Sequence, residues 1–249
     1  MIIQGPKRIA FFLPNTFTAL NMACGFSSII FAIRGQFYIG SMILLLGAIF
    51  DMVDGRVARL TGTQSAFGEQ FDSISDVISF GMAPALLLYM KFFIGLGRVG
   101  LVISFIYLLC GAMRLARFNA NIDRVSSDFF QGLPIPGAAL AVIGFVLCST
   151  ELNFGAYYQY IAIFYSLFFS FLMISNIPFA SFKDSEFVKK NKKKVLALIF
   201  LTFALILLHE QFMILCVMVI YVISCLVYAF IKRKEMSNIF DWNEDDEEE

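Results

Sequence analysis

Asp51-Met52-Val53-Asp54-Gly55-Arg56-Val57-Ala58-Arg59, followed after eight residues by Gly68-Glu69-Gln70-Phe71-Asp72-Ser73-Ile74-Ser75-Asp76, is the stretch from which the rest of the chain can be read. Four aspartates fall within 26 residues, with long, largely apolar runs on both sides. In a helical reading, Asp51 and Asp54 share one face at spacing i, i+3. Asp72 and Asp76 share one face of the next helix at i, i+4. The turn Thr61-Gly62-Thr63-Gln64-Ser65 folds the two faces towards each other. Four carboxylates in a partly dehydrated pocket do not all stay ionised without a counter-charge. Two divalent cations supply it. Helix capping, or pairing with Arg56 and Arg59, accounts for one or two carboxylates and leaves the others unexplained in an apolar setting, where ionisable groups are costly. Oxygen donors with no clustered His or Cys point to Mg2+ or Mn2+ rather than zinc. A pair of such ions suits phosphoryl chemistry.

The surroundings of this stretch define the class. Of the 249 residues, 59% are hydrophobic and only 15% charged, and thirty are phenylalanine. The mean hydropathy is +0.78. A soluble domain carries about one quarter charged residues, so the expectation is an all-α, polytopic transmembrane helical bundle. Eight spans are expected, at about 15–33, 37–60, 69–93, 99–117, 132–148, 157–177, 195–208 and 212–231. The seventh has only fourteen uncharged residues, short for a full crossing at a rise of about 1.5 Å per residue. Residues 1–14 read as a short, basic, amphipathic interfacial segment, 15–231 as the membrane domain and 232–249 as an acidic cytoplasmic tail. Lys7 and Arg8 precede an apolar stretch that lacks a small-residue cleavage site, which reads as a retained span. The five cysteines sit singly in apolar segments and form no disulfide framework.

Charge placement gives the orientation. With the amino terminus inside, sixteen of the nineteen lysines and arginines fall at the cytoplasmic face, and only Arg34, Lys91 and Arg98 at the other. The positive-inside rule therefore puts both termini and the aspartate stretch on the cytoplasmic side. The net charge of zero gives no hint of nucleic acid. The lysine run 189–194 sets topology and meets anionic headgroups.

Small residues accompany the carboxylates. Gly55 follows Asp54, and Ala58 lies one turn beyond it. Minimal side chains there serve either a ligand that approaches the backbone or close helix packing. Arg59, one turn after Gly55, is placed to contact a phosphate.

The string Asp-x2-Asp-Gly-x2-Ala-Arg-x8-Gly-x3-Asp-x3-Asp resembles the signature of the CDP-alcohol phosphotransferases, and all eight fixed positions match: Asp51, Asp54, Gly55, Ala58, Arg59, Gly68, Asp72 and Asp76. That resemblance implies displacement of CMP from a CDP-linked donor by an alcohol, with the four aspartates holding two divalent metals. Asp76 would then be the general base, and Asp54, Gly55, Ala58, Arg59 and Gly68 would line the site for the CDP portion. Four further stretches are similar to the phosphatidylserine synthase branch: Leu13–Asn21 with Cys24–Phe26, Ser79–Ala85, Cys110–Asn119 and Gly132–Gly137. The branch implies CDP-diacylglycerol and L-serine as substrates, a homodimer, and a place in a bacterial inner membrane among its lipids.

Arg114, Arg117 and Asn119 are the expected acceptor site. Two arginines three residues apart at a cytoplasmic helix end bind a carboxylate or phosphate, or else anchor the helix and its C-terminus. Pro134 and Pro136 either start the fifth span or shape the acceptor pocket. The rival readings are the same chemistry on glycerol phosphate or inositol phosphate, and a divalent-cation transporter. A transporter would carry its carboxylates near the bilayer midplane, commonly with counterparts in a second half of the chain. Here they cluster at one face, and the motif is not repeated.

Overall fold

The computed structural model describes residues 8–120, 129–152, 155, 157–180, 194, 196, 200–201, 204–206 and 208–231. Helix α1 (Arg8–Ile33) runs through Pro14, so the end of the expected interfacial segment and the first span form one helix. Pro14 is the seventh residue of this helix, so its missing N–H forgoes the bond to the Ala10 carbonyl near the start of the long apolar part at Phe12. A tight turn at Gly35 (φ 73°) leads into α2 (Phe37–Thr61). The third span is one continuous helical run of changing pitch. It comprises α3 (Ala66–Asp76), a π-helical segment (Val77–Met82), α4 (Ala83–Leu88), a second π-helical segment (Tyr89–Phe93) and a 3-10 turn (Ile94–Leu96). There follow α5 (Arg98–Ala120), α6 (Ile135–Glu151), α7 (Tyr157–Ile174) and α8 (Glu210–Ile231).

Pro84 accounts for the first change of pitch. Proline has no N–H for the carbonyl four residues back, and its ring crowds that carbonyl. A wider turn between Asp76 and Pro84 relieves the crowding, and the buried Tyr107 hydroxyl approaches the Phe80 carbonyl at 3.5 Å. Such π segments often adjoin functional residues, and this one starts at the residue after Asp76.

Six helices among the described residues are long and apolar enough to cross a membrane, and they coincide with six of the eight expected spans. The expected fifth span is α6, of 17 residues and about 25 Å. Residues 141–148 of α6 are all buried, as expected of a helix that is apolar on every side. The expected seventh span, 195–208, falls largely outside the described residues, as do the lysine run and the 232–249 tail. Side chains such as Phe164, Phe171, Ile220 and Phe230 point outward from α7 and α8, where lipid rather than water is the solvent. The core gathers around Phe80, Leu87, Phe93, Tyr107, Ile143 and Leu147.

Helices α1 and α2 pack along most of their length, and α1 also packs against α3 and the following π segment. Small residues permit this. A Cβ on Gly25 would lie 2.5 Å from the Ser79 hydroxyl, and one on Gly47 would lie 3.0 Å from the Cys24 Cβ.

A two-stranded antiparallel ribbon departs from the purely helical expectation. β1 (Phe129–Gln131) pairs with β2 (Pro178–Ala180), with Phe130 opposite Phe179. Gly132 follows at φ 73°, where a Cβ would lie 2.5 Å from the Met173 carbonyl oxygen and 2.8 Å from that of Ser175. Gly132→Ala is therefore expected to destabilise the fold by about 2 kcal/mol or more. A lower melting temperature of the detergent-solubilised protein would register it. Pro134 then caps α6 and Pro136 lies in its first turn, which agrees with the helix-start reading of these prolines.

Candidate active site

Two helix ends define the site. Helix α2 stops at Gly62, which takes the left-handed conformation (φ 64°), and the Gly62 and Thr63 N–H groups return to the Arg59 and Ala58 carbonyls. Ser65 starts α3, its Oγ accepting the Gly68 N–H at 3.1 Å. Between these caps lie only Thr63 and Gln64, so the aspartate-bearing ends of α2 and α3 stay close in space.

One carboxylate oxygen each from Asp51, Asp72 and Asp76 lies within 4.8 Å of the other two. The Asp51 and Asp76 carboxyl groups interact directly with each other. Oδ1 of Asp72 and Oδ1 of Asp76 are both buried without a hydrogen-bond partner. Buried, unpartnered carboxylate oxygens converging on one point have the chemistry of a divalent-cation donor set, with oxygen ligands alone. Asp54 stands apart from this triangle. It interacts electrostatically with Asp51 and Asp72, but its Oδ2 accepts the Thr18 hydroxyl at 2.7 Å. The structure thus brings three of the four aspartates into one cluster and holds the fourth beside it.

An open pocket of about 130 Å³ lies next to the triangle. Asp54, Gly55, Ala58, Arg59, Gly68 and Asp72 line it, so every residue expected to receive the CDP portion faces the same space. A Cβ added to Gly55 would meet nothing within 4 Å. Among the described residues no neighbouring helix occupies that space, which favours a ligand over close packing as the reason for a glycine here.

The opposite wall was not among the expected site residues. Pro14, Asn15 and Thr18 of α1 line the pocket, as do Thr63, Gln64, Ser65 and Glu69. The available signal was the polar series Asn15, Thr18, Asn21 at three-residue spacing in a largely apolar helix. Asn21 is wholly buried, and neither polar atom of its carboxamide has a partner.

The three expected acceptor residues part company. Arg114 is buried, 6% exposed, with its Nε unpartnered, and its charge interacts with that of Asp76. Its guanidinium lies 5.2 Å from the Phe118 ring centroid. Arg117 turns elsewhere. Its guanidinium donates to the Gln131, Met173, Ile174 and Ser175 carbonyls and to Asn176 Oδ1, all at 3.0–3.3 Å. It closes the C-terminus of α7 and fastens β1 to it, filling the space that Gly132 leaves. Asn119 donates to the Ser73 hydroxyl at 2.8 Å, tying α5 to the turn of α3 between Asp72 and Asp76.

Arg117→Lys keeps the charge but loses the planar fork that reaches several oxygens at once. With several part-buried carbonyls losing their partner, the expected cost is about 1–2 kcal/mol, or a few degrees in melting temperature. Serine KM in the surviving folded protein should change little.

Comparison with known proteins points to one family. The family described as CDP-alcohol phosphatidyltransferase matches residues 11–172. A Helicobacter pylori protein named CDP-diacylglycerol–serine O-phosphatidyltransferase is 39% identical over 199 residues, 79% of this chain and 83% of the relative. The Methanothermobacter thermautotrophicus archaetidylserine synthase is 38% identical over 181 residues, 71% of this chain and 74% of the relative. A Mycobacterium leprae protein with the same name as the Helicobacter one is 38% identical over 174 residues, 67% of this chain and 57% of the relative. With the aspartate triangle, the pocket beside it and a family match spanning most of the membrane helices, this chain belongs to the CDP-alcohol phosphatidyltransferase family.

Proposed function

We propose that this protein transfers the phosphatidyl group of CDP-diacylglycerol to the hydroxyl of L-serine, giving phosphatidylserine and CMP. The observation that carries the proposal is the Asp51–Asp72–Asp76 triangle at the rim of a pocket lined by Gly55, Ala58 and Arg59. Asp51, Asp54, Asp72 and Asp76 are read as the ligands of two divalent cations, Mg2+ or Mn2+. When bound, these ions neutralise the pyrophosphate oxygens and stabilise the leaving phosphate.

The chain's own residues then have distinct tasks. Gly55 and Ala58 let the pyrophosphate approach the α2 backbone, and Arg59 at the exposed rim meets its charge. Asp76 accepts the serine hydroxyl proton as the serine oxygen forms its bond to the lipid-side phosphorus. The bond from that phosphorus to the CMP oxygen breaks, and CMP leaves with the electron pair. Arg114, buried and electrostatically linked to Asp76, is the group for the serine carboxylate. With its five hydrogen bonds, Arg117 holds the neighbouring ribbon rather than the acceptor. The site faces the cytoplasm of a bacterial inner membrane, with both termini on that side, and the working unit is a homodimer.

Purified full-length protein, incubated with CDP-diacylglycerol and Mn2+ or Mg2+, is expected to release CMP when serine is added. Glycerol 3-phosphate and inositol phosphate should not replace serine. CMP release driven by either of these, with none from serine, would overturn the acceptor assignment. Metal uptake into sealed vesicles without CMP release would favour a transporter instead.

A further inference from the structure

Helix α1 carries none of the signature residues, yet it is bonded to both elements that do. Thr18 is 3% exposed, and its hydroxyl reaches two acceptors: Asp54 Oδ2 on α2 at 2.7 Å and its own helix carbonyl at Pro14 at 3.3 Å. A hydroxyl has one proton. The shorter contact, to a carboxylate 4% exposed, takes it, because a charge-assisted hydrogen bond outweighs the local back-bond.

The main chain of the same turn is held from the other side. The Ser75 hydroxyl donates to the Thr18 carbonyl at 3.1 Å, and the Ser79 hydroxyl donates to the Asn21 carbonyl at 3.0 Å. Ser75 is the residue next to Asp76. Thr18 is therefore joined through its side chain to the helix of Asp54, and through its backbone to the helix of Asp76. Gly25 lets this contact stay close, since a Cβ there would strike Ser79.

We infer that Thr18 is a positioning residue for the metal site: its hydroxyl occupies Asp54 Oδ2, turns the other carboxylate oxygen toward the aspartate triangle, and sets the spacing between Asp54 and Asp76. This rests on the divalent-metal reading above. The metal ligands are acidic; Thr18 acts on them as an outer hydrogen-bond partner, and such partners carry about 10–100-fold in metal affinity.

Mn2+ binding to the detergent-solubilised full chain, followed by electron paramagnetic resonance, tests this without reference to turnover. Thr18→Val keeps the shape and removes the hydroxyl, and should weaken Mn2+ binding about 10–100-fold. Thr18→Ser restores the hydroxyl and should bind within about threefold of the wild type, a margin well inside that range. Thr16→Val is the control: Thr16 is exposed, two residues away, with its hydroxyl on the Phe12 carbonyl, and its loss should leave Mn2+ binding unchanged. Should Thr18→Val fail to extract as a monodisperse species, Thr18→Ala takes its place with the same expectation. Wild-type affinity in Thr18→Val overturns the inference, and so does a Thr18→Ser variant as weak as Thr18→Val. A wild-type protein that binds no Mn2+ overturns the metal reading and this inference together, whereas normal wild-type binding with an unaffected Thr18→Val overturns this inference alone.

Discussion

Asp76→Asn is expected to lower CMP release by roughly 10³-fold or more, since in the proposed mechanism it removes a general base and a metal ligand at once. The substitution is nearly isosteric. Asp76 is buried and interacts electrostatically with Asp51, Asp54 and Asp72. Removing one of four clustered carboxyl groups relieves their mutual repulsion in the metal-free protein. Without metal, the variant should therefore melt no lower than the wild type. With saturating Mn2+, the wild type should gain stability through ligand binding and the variant should gain much less. Turnover and melting temperature thus move in opposite senses, which a simple folding defect would not produce. Residual turnover above a few per cent of wild type, with folded protein, would remove Asp76 from the base role.

Gly55→Leu should separate binding from stability just as sharply. Helical glycine is about 1 kcal/mol worse than alanine, and leucine is nearly as good as alanine. Since a Cβ at Gly55 meets nothing within 4 Å, the variant should fold at least as stably as the wild type. The new side chain enters the pocket that Asp54, Ala58 and Arg59 share. KM for CDP-diacylglycerol is expected to rise more than about tenfold, a loss of at least ~1.4 kcal/mol of donor binding. Gly47→Ala on the same helix makes the contrast. Its Cβ would sit 3.0 Å from Cys24 Cβ and 3.1 Å from Asn21 Oδ1, so it should lower stability. An unchanged donor KM in Gly55→Leu would return Gly55 to the role of a packing residue.

These two glycines illustrate where sequence reading ends. Each stands in the same apolar helix, and composition offers no means to tell a glycine that meets a ligand from one that meets a helix. The difference lies in what occupies the space beyond the backbone, which depends on α1. The arginines behave alike. Arg114 and Arg117 are three residues apart near one helix end, and either is chemically able to hold a carboxylate. Only the arrival of the α7 C-terminus, more than fifty residues later, engages Arg117 and leaves Arg114 beside Asp76. The ribbon of β1 and β2 was hidden for a related reason: its strands are three residues each, too short to show a period.

Much was legible because the bilayer imposes a strong local rule. Every backbone polar group must be satisfied within the segment, so long apolar runs in this sequence had to be helices, and α2, α5 and α8 end within three residues of the expected limits. Four carboxylates set in such helices, at i, i+3 and i, i+4 around a short polar turn, already implied a charged ligand and the chemistry of phosphoryl transfer. Those inferences depend on residues close together along the chain. The wall that completes the pocket comes from Asn15 and Thr18, 36 residues before Asp54 in the case of Thr18. That contact comes from helix packing, and packing is a property of shape in three dimensions. Residue type and spacing single out Asp51–Asp76 as a candidate metal and phosphate site; the approach of α1 decides that Asp54 Oδ2 is held by Thr18.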